Sequence, residues 1–143
     1  MGIPCGRERT SIACRAVTVT TGHRGGAKLF VSPADTARAL GSGDVDVLGT
    51  PRLIALCEEA SCRAIGPELA DGCTTVGISV RVDHLQPSAI GSEVVAEAVL
   101  VKVDGRRLTF TVSASDERGL VGVGKVVRVM VDVERFMRRC GCD

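Results

Sequence analysis

GTPRLIALCEEASCRAIGP, residues 49–67, decides the fold. Thr50 stands at the expected N-cap and Pro51 at the first helical position, where a missing amide hydrogen costs nothing, so a helix is predicted to start at Pro51. Leu53, Ile54, Cys57, Ala60, Ser61 and Ala64 recur at three- and four-residue spacing and form one small, mostly apolar face. Gly66-Pro67 ends the run. Side chains as small as Ala60, Ser61 and Ala64 let such a helix lie close against a sheet.

Four strands are predicted after the helix. In residues 75–84 Val76, Ile78, Val80 and Val82 are apolar while Ser79, Arg81 and Asp83 are polar, the alternation of a strand with one buried face. Residues 93–103 carry Val, Ala and Leu with few interruptions, as expected of a central strand covered on both sides. Residues 107–115 alternate again, and Asp104-Gly105 before them signals a hairpin with the preceding strand. Residues 120–133 put Val121, Val123, Val127, Val129, Val131 and Val133 on one parity, a long final strand followed by a short basic tail. Ahead of the helix, residues 10–21 and 27–31 read as strands separated by a turn at residues 22–26. Ser32-Pro33 opens a short helical stretch to about Leu40, closed by a loop at residues 41–44.

The 143 residues suit one domain, 1–143, with no linker, repeat or low-complexity segment. Apolar residues reach 45% but aromatics only 2%, so the interior is built from Val, Ala, Leu and Ile. A net charge of +1 gives no sequence-wide attraction to nucleic acid or anionic membranes, and scarce aromatics remove the usual base-stacking platform. No stretch has the length and hydropathy of a signal peptide or membrane span, so a soluble, cytoplasmic protein is expected. Seven cysteines are an odd number scattered over an ordinary core, and reduced thiols are the expectation. Cys140-x-Cys142 lacks two further ligands of a zinc site, and neither metal nor cofactor is predicted.

Strands, one long apolar helix and an antiparallel meander together make an α+β chain, a curved sheet wrapped around a helix. The spacing Gly49-Thr50-x7-Glu58, then Gly77, then His84 resembles the fluoroacetyl-CoA thioesterase family. The similarity continues through Gly91, Gly105-Arg106-Arg107-Leu108, Val112-Ser113-Ala114-Ser115-Asp116 and Gly122-x-Gly124, covering roughly residues 45–133. The resemblance implies a hot-dog fold, a homodimer, an acyl-CoA substrate, and Thr50, Glu58 and His84 as active-site residues. It also directs attention to Gly49, Gly77 and Val47 as substrate-binding positions. Residues 35–49 carry no Phe, so the aromatic lid tied to fluorine recognition has no counterpart, and a small acyl group is the expected substrate. Val45, Val47 and Leu48 offer a lining for it.

Each residue also has a plainer reading. Thr50 as a pure helix cap would look the same, although a helix N-terminus offers free amides to a developing oxyanion. Glu58 borders the helix's apolar face and is a candidate nucleophile or water-activating base; its plain role is an ion-paired helix residue. Its neighbour Glu59 should point outward. His84 continues the even, core-facing row of its strand, where a lone His is commonly structural but suits proton transfer near neutral pH. Arg106, Arg107, Lys125 or Arg128 are candidate partners for CoA phosphates, or else solvated surface charge. Thr50 and Glu58 lie about 12 Å apart along one helix at ~1.5 Å per residue, so one subunit cannot bring them together and an active site at the dimer interface is expected. The rival readings are a hot-dog module that binds acyl-CoA without cleaving it, or a structural dimerisation module.

Overall fold

The computed structural model describes Cys14 and residues 19–141. Strand β1 (Arg24–Phe30) leads through a 3-10 turn (Pro33–Asp35) and helix α1 (Ala37–Leu40) to helix α2 (Thr50–Ile65). Strands β2 (Cys73–His84), β3 (Glu93–Asp104), β4 (Arg107–Asp116) and β5 (Gly119–Asp132) follow, and helix α3 (Val133–Arg138) completes the described chain. The strands form one antiparallel sheet in the order β1-β3-β4-β5-β2. Helix α2 touches all five strands, so the sheet curls around it. Leu53, Leu56, Cys57, Ala60, Ser61, Ala64 and Ile65 are its buried face; Leu56 replaces the expected Ile54, which is half-buried.

The glycines at 25 and 26, expected in a turn, both lie inside β1. A Cβ on Gly25 would collide with the backbone of Ala60 and Ala64, whereas one on Gly26 would meet only Ala96 O at 3.5 Å. Gly25 therefore marks a close approach of strand to helix. Of the strand expected at residues 10–21, only Cys14 and residues 19–21 are described, and residues 19–21 are not strand.

Three strands depart from the expected burial, and each carries an irregularity in register. In β2 the register shifts between Gly77 and Ser79, so Thr75 and Gly77 face the helix, Ile78 is 48% exposed, and Val80 and Val82 return to the core. An extra residue in a strand moves every later side chain to the opposite face, which is why simple alternation over 76–84 misplaces Val76 and Ile78. In β5 a shift beside Val121 leaves that residue buried and hands the inner face to Val126, Arg128 and Met130, while Val123, Val127 and Val129 are only partly buried. Strand β3 is interior to the sheet yet covered on one side only, with Val94, Ala96, Ala98 and Leu100 buried and Val95 and Val101 exposed. The hairpin at Asp104-Gly105 forms as expected, with Asp104 paired to Arg107 and Gly105 at φ 59°.

Cys14 and Cys73 form a disulfide with Cα atoms 5.7 Å apart, which corrects the expectation of reduced thiols throughout. Cys57, Cys62 and Cys140 are free. Among the described residues no helix is long and apolar enough to cross a membrane, and no cluster of three His, Cys, Asp or Glu side chains could hold a metal.

The segment before α2 is fastened to the helix tip through Asp35. Its carboxylate accepts from the Ser32 amide and hydroxyl at 2.8 Å each and from Arg52 Nε at 3.3 Å, while its carbonyl accepts from the Gly49 amide. Burial pushes the Asp35 pKa up, but the Ser32 hydrogen bonds and the Arg52 charge outweigh it and hold the group below 3.8. A carboxylate depressed on folding contributes stability above its unfolded pKa and loses it as pH falls through the folded value. Acid unfolding should therefore soften for Asp35→Asn relative to the unsubstituted chain below about pH 4, measured by circular dichroism against pH. Thermal denaturation should show Gly25→Val destabilised by about 2–3 kcal/mol, with Gly26→Ala near neutral.

Candidate active site

Thr50 does not cap its helix. Gly49 is the N-cap, Thr50 is the first helical residue, and no side-chain cap bond is made. The Thr50 hydroxyl instead meets His84 Nδ1 at 2.9 Å, across from the end of β2. Gly49 is buried, and a Cβ there would press on Leu40 and Ala37, so glycine lets α1 pack under the helix tip. Val47 is half-buried and pairs with Ala89. Leu48 belongs to the core and not to a pocket lining, while Val45 is exposed.

His84 sits where β2 leaves the sheet, paired with Gly122 of β5. Burial lowers its pKa below 6.5, with the Gln86 backbone opposing in part. Its ring is therefore neutral at pH 7, with Nδ1 facing a hydroxyl and Nε2 buried without a partner. Pairing a hydroxyl with a neutral imidazole is the arrangement in which a proton moves off oxygen as that oxygen forms a bond to carbon.

Glu58 lies elsewhere in the same chain. Its Oε2 accepts from Arg128 Nη1 at 2.8 Å, and no hydrogen bond joins it to His84. Arg128 is 6% exposed and bonds three ways: Nη1 to Glu58, Nε to the Thr75 hydroxyl and Nη2 to the Thr75 carbonyl, the last two at 2.9 Å. The expectation that Arg128 waits at the surface for a phosphate is thus corrected, because a buried guanidinium committed to a carboxylate is held inside. Gly77 completes the corner, since a Cβ there would collide with Glu58 Oε2. Glu59 pairs with Arg63 at 2.8 Å on the surface. Buried Cys57, beside Glu58, has its thiol pKa pushed up to about 11 by burial and by the Glu58 charge, so it is no nucleophile.

Sequence reasoning missed Arg128 and Thr75 as partners of Glu58. The available signal was the cation itself: an arginine within Val126-Val127-Arg128-Val129 faces inward or outward according to a parity that the bulge in β5 hides.

Residues 31–134 match the family described as FlK, fluoroacetyl-CoA-specific thioesterase. The fluoroacetyl-CoA thioesterase of Streptantibioticus cattleyicolor is 34% identical over 91 residues, spanning 64% of this chain and 66% of that relative, just under two thirds of its length. A solved structure of the fluoroacetyl-CoA thioesterase FlK superposes with TM-score 0.81 at 30% identity, covering 85% of this chain and 95% of that one. A thioesterase superfamily member from Thermus thermophilus gives 0.78 at 29% identity over 86% and 93%. A hot-dog-like protein from Thermanaerovibrio acidaminovorans, at 22% identity and TM-score 0.77 over 85% and 90%, shares the fold. With its curled five-stranded sheet around one helix, and with nearly three quarters of its length matched, this chain belongs to the fluoroacetyl-CoA-specific thioesterase family.

Proposed function

We propose that the protein hydrolyses the thioester of a small acyl-CoA, with Thr50, His84 and Glu58 acting where two copies meet. The observation that carries this reading is the 2.9 Å contact between the Thr50 hydroxyl and the neutral His84 ring at the tip of α2. Thr50 oxygen adds to the thioester carbon as His84 Nδ1 takes its proton, and free amides at the helix tip face the oxygen that becomes negative. The carbon–sulfur bond then breaks, His84 returns the proton to the CoA sulfur, and water releases the acid from Thr50 by the reverse sequence. The relatives' names point to fluoroacetyl-CoA, but a stretch 35–49 without Phe favours an unspecialised short acyl group. No metal or other cofactor enters any step.

The reading needs a carboxylate at His84 Nε2, in the pattern of nucleophile, base and orienting acid. Within one chain Glu58 is turned toward Arg128, so the carboxylate is supplied by Glu58 of the partner subunit. Strand β2 supports such a pairing: it ends the sheet, runs twelve residues, and shows Ile78 to solvent. An edge strand with unpaired amides and carbonyls invites a second strand.

A panel of short acyl-CoAs with a thiol-reactive dye tests the activity. His84→Ala, Thr50→Ala and Glu58→Ala should each lower the rate about 100-fold or more, Glu59→Ala should leave it unchanged, and EDTA should have no effect. Equal rates in all four variants would sink the site assignment. Because His84 acts as a base, kcat/KM should fall in acid as the ring takes up a proton, at a pH set by burial, which lowers its pKa, against the partner carboxylate, which raises it. Ile78→Asp should yield monomers by size-exclusion chromatography, and those monomers should not hydrolyse; active monomers would overturn the shared site.

A further inference from the structure

Ser88, buried in the connection between β2 and β3, joins three parts of the molecule. Its hydroxyl donates to Asp116 Oδ2 at 2.9 Å, at the end of β4. Its carbonyl accepts from the Leu48 amide at 2.9 Å, two residues ahead of Thr50. Beside that bond Ala89 bridges antiparallel to Val47, so residues 47–48 lie along residues 88–89. Asp116 is itself held, since its Oδ1 accepts from the Arg118 amide at 2.8 Å in the turn before β5. A hydroxyl bonded to a carboxylate is a strong, charge-assisted tie, and burial of Ser88 keeps water from competing for it. Thr50 and His84 belong to different elements, so their 2.9 Å contact requires a common frame. On one side Leu48 and Gly49 lead directly into α2, whose first residue is Thr50. On the other, four residues separate His84 from Ser88, and the Leu85 amide donates to the Val121 carbonyl at 2.7 Å between them. The two approaches meet at Ser88.

We propose that Ser88, anchored by Asp116, is a positioning residue that sets the distance between the Thr50 hydroxyl and His84 Nδ1. Its effect on rate rests on the thioesterase reading above, whereas the contact it controls is readable without substrate. Ser88 acts through the backbone it holds at Leu48, not on the reacting atoms. Proton transfer from a hydroxyl to an imidazole depends steeply on their separation, and a displacement of about 1 Å can cost up to about 100-fold in rate. Slackening the tie therefore slows the chemical step, while the surfaces that hold CoA stay as they were.

Ser88→Ala removes the tie, and Asp116→Ala removes it from the other side, so the test stands even where one of the two fails to fold. Asp116→Asn keeps the shape, with an oxygen for the Arg118 amide and an N–H that can donate to the serine oxygen. Ile65→Val thins the core at the far end of α2 and controls for lost stability alone. kcat and KM are measured on acetyl-CoA, and the ring 15N shifts of His84 are read in the ligand-free protein at about pH 8, where the ring is neutral. The chain has two histidines, and His23→Asn assigns the signals. Both alanine variants should lower kcat about tenfold, hold KM within about twofold, and move the Nδ1 shift in the direction that Thr50→Val moves it. Asp116→Asn should recover kcat and the shift, and Ile65→Val should lower Tm and leave both in place. Alanine variants that lose Tm yet keep kcat and the Nδ1 shift would overturn the proposal, because Ser88 would then be structural alone. A fall in kcat with an unmoved Nδ1 shift, or one that Asp116→Asn does not recover, would overturn it as well. Absence of hydrolysis by the unsubstituted protein sinks the thioesterase reading, and the Nδ1 shift then decides the positioning role by itself.

Discussion

Helix α2 rests on β1 with almost nothing between the two backbones, and the remaining arrangement depends on that approach. Gly25 faces Ala60 and Ala64, where even a methyl group has no room. With aromatics at 2% of the chain, the core has few large side chains with which to hold helix and sheet apart, so small residues bring them together. The curl of the sheet around the helix then sets the end of β2 beside the tip of α2, which is how a residue at position 84 reaches one at position 50.

A second constraint lies deeper. Arg128 carries its charge into the interior from β5 and directs it at Glu58 of α2 and Thr75 of β2. Removing one member of a buried ion pair costs about 3–5 kcal/mol, because the other is left charged and unpaired. The three elements are thereby locked in one relative position, and one oxygen of Glu58 is fixed. Gly77 supplies the space this requires.

The long helix, the antiparallel meander and the turn at Gly105 were all legible because each rests on local periodicity or a turn residue. Parity past a bulge was not legible: the shifts after Gly77 and beside Val121 add a residue without leaving a compositional mark, so Ile78 and the odd valines of β5 were misplaced. Gly25 misled for a related reason, since a glycine needed for closeness looks like one needed for turning. Thr50 and His84 were singled out by the family resemblance alone, and their direct contact depends on the curl of the sheet, which no local pattern records. The Cys14–Cys73 link was invisible because a pair 59 residues apart is fixed by tertiary proximity alone.

The two borders of the sheet are not equivalent. On β1, the Arg63 guanidinium donates to the Gly26 carbonyl at 3.3 Å, occupying an acceptor that a neighbouring strand would need, and Lys28 adds a charged side chain to that short border. β2 is the longer border at twelve residues, and there the Arg128 guanidinium takes the Thr75 carbonyl at 2.9 Å near one end. A carbonyl that already accepts from a side chain is one fewer for an added strand, so each border carries its own brake on edge-to-edge growth.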